Sequence, residues 1–264
     1  GKYVDSSAVA AAGSFGVGIS GARALGRHSP IVSATGNGGS SVASAGASGF
    51  ASINNARTEG FASGGAGGLL GGGAVMSSTM EAKGSSTTTF NGTASDSGVA
   101  ASSFALSATA QRTAKTEDFV IAIGIGAGIS IALGTASVAG TTSATFGGSS
   151  VVNIKGAMSA TAGATNEASS ITEGGAGGFI GATILEAEAS VTGTTSVGIS
   201  AGGQVTKAGS VSLEATGSNT GSASATAGTG GFISAGGVDC NVSVTPTITA
   251  SIGNNVSIAN VAGN

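Results

Sequence analysis

The residues that could carry out chemistry are few and far apart in this sequence. His28 is the single histidine and lies between Arg27 and Pro30, in a stretch predicted to be a loop. Cys240 is the single cysteine, so it has no partner for an internal disulfide, and no second Cys or His lies nearby to form a zinc site. An active site needs several titratable groups that converge. The sequence therefore predicts that the chain is not an enzyme and uses no cofactor.

Two pairs of acidic residues are the remaining candidates for ion binding. Glu186 and Glu188 are two positions apart and would share one face of a strand, and Glu117 is adjacent to Asp118. The calcium-binding repeat motif G-G-x-G-x-D is absent from the sequence. Solvated acidic side chains are the simpler interpretation, so no metal site is predicted.

A row of threonines, Thr245, Thr247 and Thr249, is the one candidate for a binding surface. Alternate residues of a strand point to the same side of the sheet, so these hydroxyl groups would form a straight row. Such a row on a flat solenoid face can match an ice lattice. Ice binding needs a two-dimensional array, however, and the sequence shows no equivalent row at corresponding places elsewhere.

The composition indicates sheets that pack over small side chains. The 264 residues include 50 Gly, and charged residues make up 8% of the chain, against about 25% in ordinary soluble domains. The hydrophobic fraction of 40% exceeds that of a disordered linker, and no Gly-X-Y triplet repeat indicates collagen. Nine scattered basic residues and a net charge of −3 argue against a nucleic-acid partner. The sequence starts with Gly1, so we expect a mature or excised piece of a longer protein.

The uncharged stretch from Phe119 to Ile154 raises the question of a membrane span. Apolar residues, all of them large except Ala127, occupy every second position from Phe119 to Leu133, and Gly, Ala or Ser occupy most of the others. A period of two predicts a strand and not a transmembrane helix. No membrane span is therefore predicted, and we expect both sides of this long strand to be covered by protein.

The chain repeats itself with a period of roughly 57 residues, which is the range of repeat architectures. Four phenylalanines at similar spacings mark successive units: Phe61, Phe119, Phe179 and Phe232. A Gly-Thr-Thr landmark, interpreted as a turn, recurs at 84–87, 140–143 and 193–196. The repeats predict one segment, 1–264, in which each unit packs only against its neighbours. Its approximate units are 4–60, 61–118, 119–175, 176–231 and 232–264.

Long strands in tandem, without hairpin signals or helices, favour an all-β fold, a parallel β-solenoid. Antiparallel hairpins are the main alternative. Each unit forms either one wide, flattened coil of about 57 residues or three coils of about 19 residues. The absence of a repeat of the shorter length favours the wide coil, in which the four phenylalanines would stack in a column. Faces of Gly and Ala would let the sheets approach closely, and Cys240 would be buried between Val238 and Val242.

The alternating Val, Ile and Ala strands, the Gly-Thr-Thr segments and runs such as 252–258 resemble the repetitive β-helical adhesins of bacteria. Those are filamentous-haemagglutinin-like proteins and autotransporter passengers. The resemblance implies secretion to the extracellular space or cell surface, a rod-like shape, and a role in adhesion or matrix formation. We therefore expect a structural extracellular protein, a filament or matrix subunit or an adhesin stalk. The alternative is a module whose flat face binds glycan, a host surface or ice.

The expected partner is a second copy of the chain. A parallel solenoid exposes unpaired backbone groups at its open edges, and the usual protection by Lys, Pro and inward charges is almost absent from the final unit. End-to-end or lateral self-assembly is therefore predicted, with the cell surface or extracellular matrix as further candidate partners.

Overall fold

The computed structural model describes residues 2–98 and 101–261 and confirms an all-β, parallel solenoid. The described residues form eighteen strands and no helix, so none of them belongs to a helix that could cross a membrane. Every strand pairing in this part of the chain is parallel, which excludes the antiparallel alternative.

The strands form five successive coils. The first coil contains β1 (Lys2–Ser14), β2 (Val17–His28), β3 (Ile31–Gly36) and β4 (Ser41–Ser44). The second contains β5 (Ala47–Gly68), β6 (Gly71–Ala82), β7 (Ser85–Phe90) and β8 (Thr93–Asp96). The third contains β9 (Ser103–Gly124), β10 (Ala127–Val138), β11 (Thr141–Phe146) and β12 (Val151–Asn153). The fourth contains β13 (Ala157–Gly177), β14 (Ile180–Ile199) and β15 (Gln204–Lys207), and the fifth β16 (Ser210–Gly230), β17 (Ile233–Ile252) and β18 (Ser257–Ile258).

Equivalent strands of the five coils form three sheets. Sheet 1 has the order β1-β5-β9-β13-β16, and sheet 3, which is short, has the order β4-β8-β12-β15-β18. Sheet 2 lies opposite sheet 1 and contains β2, β6, β10, β14 and β17, with β3, β7 and β11 continuing the first three of these. A strand of 22 residues spans roughly 70 Å, so the coil is wide and flat.

The register shows that one repeat unit is one coil. Val17 pairs with Gly71, and Gly71 pairs in turn with Ala127. Ala127 pairs with Ile180, and Ile180 with Ile233. Each of these pairings joins residues that are separated by about one whole repeat unit. The register therefore confirms the wide coil and excludes three short coils per unit. The predicted unit boundaries at 61, 119 and 176 lie inside the sheet 1 strands.

The predicted column of four phenylalanines is only half present. Phe179 and Phe232 stack with ring centroids 5.3 Å apart. Phe61, however, pairs with Glu117, and Phe119 pairs with Glu173. The column breaks because the register of sheet 1 is offset: Phe61 pairs with a residue two positions before Phe119, and Phe119 with a residue six positions before Phe179.

The long strand predicted from residue 119 onwards is two strands in two sheets. β9 ends at Gly124, the chain turns at Ile125 and Gly126, and β10 begins at Ala127 in sheet 2. Val120 and Ala122 are buried, whereas Ile123 and Ile125 are 60% and 71% exposed. The expectation that both sides are covered is therefore wrong. The small-residue side faces inward because the gap between the sheets has no room for isoleucine.

The gap is narrowest beside this turn, as the glycines show. A Cβ added to Gly72 would lie 2.7 Å from the carbonyl oxygens of Ala66 and Ile123. At Gly128 it would lie 2.6 Å from the carbonyl oxygen of Ala122. Contacts this short exclude any side chain, so the predicted close approach of Gly-rich sheets is confirmed at this end.

The opposite end of the coil is thicker and contains the buried phenylalanines. Phe90, Phe104 and Phe146 are fully buried, and the rings of Phe90 and Phe104 have centroids 4.6 Å apart. Val152 of sheet 3 belongs to the same cluster. The coil is therefore wedge-shaped in cross-section, with a Gly edge and a Phe base that sheet 3 closes.

Two of the three predicted Gly-Thr-Thr turns are kinks inside sheet 2, whereas Gly193 of the third lies inside the continuous strand β14. Gly84 and Gly140 have φ angles of +146° and +145°, and both lie between two strands of this same sheet. A Cβ on Gly84 would lie 2.4 Å from the carbonyl oxygen of Pro30 in the coil below. The kink requires glycine, but the chain continues in the same direction, and the Thr-rich segment that follows is a strand.

Candidate functional site

The titratable candidates lie on four different strands. His28 ends β2 and is half-buried with its imidazole side inward, so the loop prediction is wrong. Cys240 pairs with Ala187 and shares its inward side, yet it is exposed. Its predicted burial is wrong because β17 belongs to the fifth coil, and no described strand covers it.

The two acidic pairs differ in geometry. Glu117 points outward from β9, whereas Asp118 points inward and is buried, so the two carboxylates cannot share an ion. Burial raises the pKa of Asp118 to about 6, although the Ser78 N–H donates a 3.2 Å hydrogen bond to its Oδ2. Glu186 and Glu188 both lie on the outer side of sheet 2. The described part of the chain contains no group of three or more His, Cys, Asp or Glu residues that could hold a metal ion.

The threonine row lies on the outer side of β17, as its alternation predicted. Thr245 pairs with Thr192, and Thr247 with Thr194. Thr249 pairs with Ser196, so each threonine is in register with a hydroxyl residue of the preceding coil.

The row belongs to an array that passes through all five coils. The register aligns the outward residues of β3, β7, β11, the end of β14 and the end of β17. We name this array the hydroxyl face; its members are Ser33, Thr35, Ser85, Thr87, Thr89, Thr141, Ser143, Thr145, Thr192, Thr194, Ser196, Thr245, Thr247, Thr249 and Ser251. Ile31 and Gly198 occupy two positions in the same columns and interrupt the array there. The expectation that the row is not repeated is therefore wrong. The signal was present in the Gly-Thr-Thr landmarks, whose composition is also typical of turns.

The hydroxyl face has a regular spacing. Neighbouring coils place equivalent hydroxyls about 4.8 Å apart, and alternate residues of one strand lie roughly 6.7 Å apart. Ser196 Oγ donates to Ser143 Oγ at 3.1 Å, and the hydroxyls of Ser143 and Thr145 are 3.2 Å apart. The face therefore presents a two-dimensional lattice of neutral groups that can each donate and accept hydrogen bonds.

Buried hydroxyls on the inner side hold the sheet beneath this face in place. Ser52 Oγ of sheet 1 lies 2.9 Å from both Ser86 Oγ and Thr88 Oγ1 of sheet 2. Thr88 Oγ1 also donates to the carbonyl oxygen of Ser107 at 2.7 Å. These bonds join the two sheets across the coil, and they support a flat outer surface.

The last coil carries the second candidate site, its open edge. Among the described residues β17 pairs with β14 alone, so one side of its backbone has no strand partner. The inward side chains of β17 are exposed at this edge, each by 40–55% of its surface; the large apolar ones are Val238, Val242, Val244, Ile248 and Ile252. In coils two to four the equivalent inward positions are buried between neighbouring coils.

Comparison of the chain with known proteins identifies no relative: no protein family, curated protein or solved structure matches it. The function is therefore inferred from the geometry of the coils.

Proposed function

We propose that this chain is a structural, rod-building element that extends by adding coils edge to edge. The open edge of the fifth coil supports this proposal. It presents unpaired backbone N–H and C=O groups together with inward apolar side chains, which is the surface that a further parallel coil would cover. The register offset between the last two coils is the same in all three sheets, which keeps this edge straight.

The energetics favour a further coil over solvent at this edge. Full burial of a side chain of the size of Val or Ile stabilises by about 1.5–3 kcal/mol. The five on β17 are about half-exposed, so covering each of them contributes roughly half of that. Strand pairing would also satisfy the unpaired backbone groups. A second copy of the chain can supply such a coil through the free side of its first strands.

The matched variants for a test lie next to each other on β17. Val242 and Val244 point inward and would be covered by an added coil, whereas Asn241 and Ser243 point outward, where an added coil would not cover them. Lysine at the two inward positions (V242K/V244K) should block edge-to-edge assembly, and lysine at the two outward positions (N241K/S243K) should permit it. All four side chains are exposed in the single chain, but Val242 and Val244 also pack towards Gly221 of β16. A circular dichroism spectrum like that of the unmodified chain is therefore the control that the inward variant folds.

Electron microscopy and X-ray fibre diffraction supply the readout. We expect filaments with an axial repeat of about 4.7–4.8 Å from the unmodified chain and from the outward variant, and none from the inward variant. An unmodified chain that sediments as a sharp monomer at high concentration would overturn the proposal. Equal assembly by both variants would also overturn it.

A filament or stalk outside the cell, at a bacterial surface or in its matrix, is the setting that we propose for this element. The small-residue composition, low charge and repeated coils support that setting, as does the stylistic resemblance to β-helical adhesins. No enzymatic role is proposed.

The hydroxyl face supports a second candidate function, which is attachment to an ordered surface. The face carries a regular lattice of hydroxyls, without charged or aromatic members. Aromatic side chains that would stack on a single sugar ring are absent from its members. A flat solid with repeating polar groups, such as ice or a crystalline polysaccharide, fits this lattice better than a soluble ligand does.

A lysine at the centre of the face tests this second function. Ser143→Lys places a long charged side chain in the middle of the lattice, and Thr109→Lys places one on the exposed outer side of sheet 1 in the same coil. We expect ice recrystallisation inhibition, or sedimentation with crystalline cellulose or chitin, to be lost in the first variant and kept in the second. Absence of both activities from the unmodified chain would refute this function.

A further inference from the structure

The outer side of sheet 2 carries a second surface, beside the hydroxyl face. We name it the pairing face; it consists of the outward residues of β2, β6 and β10 and of the aligned segments 180–190 and 233–243. Its half near the Gly edge is apolar and includes Val17, Ile19, Val75, Ile129, Ile131, Ile180, Ile184 and Ile233. Contiguous exposed apolar surface on this scale marks an interaction site.

The other half of the pairing face carries charges that change sign along the solenoid axis. The first coil contributes Arg23 and Arg27, the fourth contributes Glu186 and Glu188, and the fifth contributes Asp239. Arg23 and Asp239 lie at the two ends of one column of the register. The second coil also carries Glu81 on this half, in register with Arg27, and its Oε2 lies 3.1 Å from Arg27 Nε. Arg27 and Glu81 therefore neutralise each other, and the other four charges form no ion pair among the described residues.

We propose that the pairing face binds a second copy of this chain in antiparallel orientation. A two-fold axis along the strand direction, passing through β10, keeps every residue at its position along the strand and exchanges the first coil with the fifth. Arg23 then faces Asp239 of the other copy, and this contact occurs twice. Leu133 lies in the middle of the same column and faces its own equivalent.

The neighbouring positions are also complementary under this symmetry. Ser77 of the second coil faces Glu186 of the fourth, so a hydroxyl donor meets a carboxylate. Val75 faces Ile184, and Ile131 faces its own equivalent, so apolar residues meet apolar residues. A two-fold axis along the solenoid axis would instead keep the coils in the same order. It would bring the two first coils, with their arginines, together, and likewise the two fourth coils, with their glutamates, which is unfavourable.

The size of the face suits a stable dimer. Eleven residues along the strand span roughly 36 Å, and five coils span roughly 24 Å, so the footprint is on the order of 850 Å² per copy. A standard protein interface buries about 800 Å² per partner. The pairing face therefore has the area of an ordinary specific interface.

Charge reversal with complementation tests the proposal in solution. We use the full chain with the open edge blocked (V242K/V244K), so that edge-to-edge assembly does not mask lateral pairs. Analytical ultracentrifugation should show a dimer of this chain. Arg23→Glu and Asp239→Arg should each weaken dimerisation by at least about tenfold, because each places like charges in contact twice.

The decisive step is to mix the two single variants. In the mixed pair both contacts again join opposite charges, so an equimolar mixture should form heterodimers although each variant alone does not. The double variant (R23E/D239R) should likewise dimerise. A misfolding effect of either substitution could not produce this recovery. Lysine on the hydroxyl face, Ser143→Lys, should leave dimerisation unchanged.

Three results of the dimerisation measurements would overturn the pairing proposal. These are a monomer at all concentrations, a dimer insensitive to Arg23→Glu, and a mixture that fails to recover. Binding of the monomer to phosphatidylglycerol vesicles that depends on Arg23 would identify a membrane as the occupant instead, and it would also overturn the proposal. Filament formation by the unblocked chain is measured separately, so failure of lateral pairing and failure of the rod proposal are distinguishable.

Discussion

Arg112 of β9 donates a 3.1 Å hydrogen bond from Nη1 to Oδ1 of Asn166, its register neighbour in the next coil. The guanidinium is 1% exposed and has no carboxylate partner among the described residues. Nη2 donates to the carbonyl oxygens of Gly84 and Thr141 and to Thr142 Oγ1, at 3.0–3.1 Å. Arg112 thus satisfies the backbone groups that the kinks in sheet 2 leave free. Burial lowers its pKa to about 10, so it stays charged at neutral pH.

Replacement of Arg112 should therefore destabilise the solenoid strongly. Arg112→Met keeps much of the volume but leaves the carbonyl oxygens of Gly84 and Thr141 and the Asn166 amide without this donor. We expect a loss of about 2–4 kcal/mol in the free energy of unfolding, measured by chemical denaturation. The control is Arg57→Met, which removes an exposed ion pair with Glu59 and should cost less than about 1 kcal/mol. Equal losses in the two variants would contradict the structural role of Arg112.

The buried Asp118 should give the stability a distinctive pH dependence. Its pKa of about 6 in the folded chain lies above the ordinary value of 3.8, so the folded state binds the proton more tightly than the unfolded state does. Its contribution is therefore fully favourable below about pH 4 and is lost as the pH rises through 6. Asp118→Asn should remove this slope and stabilise the chain at neutral pH by up to about 3 kcal/mol. Melting temperatures between pH 4 and 8 check this, with Glu117→Gln on the outer side as the control.

In β9 and β10 the small residues face inward and the isoleucines face outward. Substitutions at inward and outward positions should therefore differ in their effect on stability. Ile125→Asp changes an exposed side chain at the turn and should alter stability by less than about 0.5 kcal/mol. Ala132→Leu adds three carbon atoms to a fully buried position in the narrow gap and should cost at least about 1–3 kcal/mol. Thermal unfolding of both variants provides the measurement. A large loss from Ile125→Asp would mean that the isoleucine side of the strands faces inward.

The alkylation rate of the Cys240 thiol tests whether the open edge is covered in filaments. Its thiol is exposed in the single chain, on the inward side of β17, where an added coil would cover it. Alkylation should be fast in dilute chain and much slower in filaments. In a Cys240→Ser background, Thr249→Cys on the hydroxyl face should remain reactive in both states. Equal protection of the two sites would show that the filaments form by another contact.

The amino-acid sequence alone determined the parts of this fold that depend on local pattern. A period of two along residues 119–133 indicated strands, and the recurrence of the Phe and Gly-Thr-Thr landmarks indicated repeat units of roughly 57 residues. The absence of a shorter repeat favoured one coil per unit. Abundant Gly and Ala indicated closely spaced sheets. These features follow from backbone geometry and side-chain size at each position, so they can be read without knowing which strands pair.

Only the tertiary structure decided which side of each strand faces inward and which residues are neighbours across coils. Alternation shows that the two sides of a strand differ, and the usual expectation places Ile121 and Ile123 inside. The sheets approach so closely at Gly72 and Gly128 that only the small-residue side fits between them. The register then aligns Thr247 with the Ser and Thr of earlier coils. A small change in the offset between coils moves a residue to a different column. The offset is set by the pairing of strands and cannot be read from the sequence.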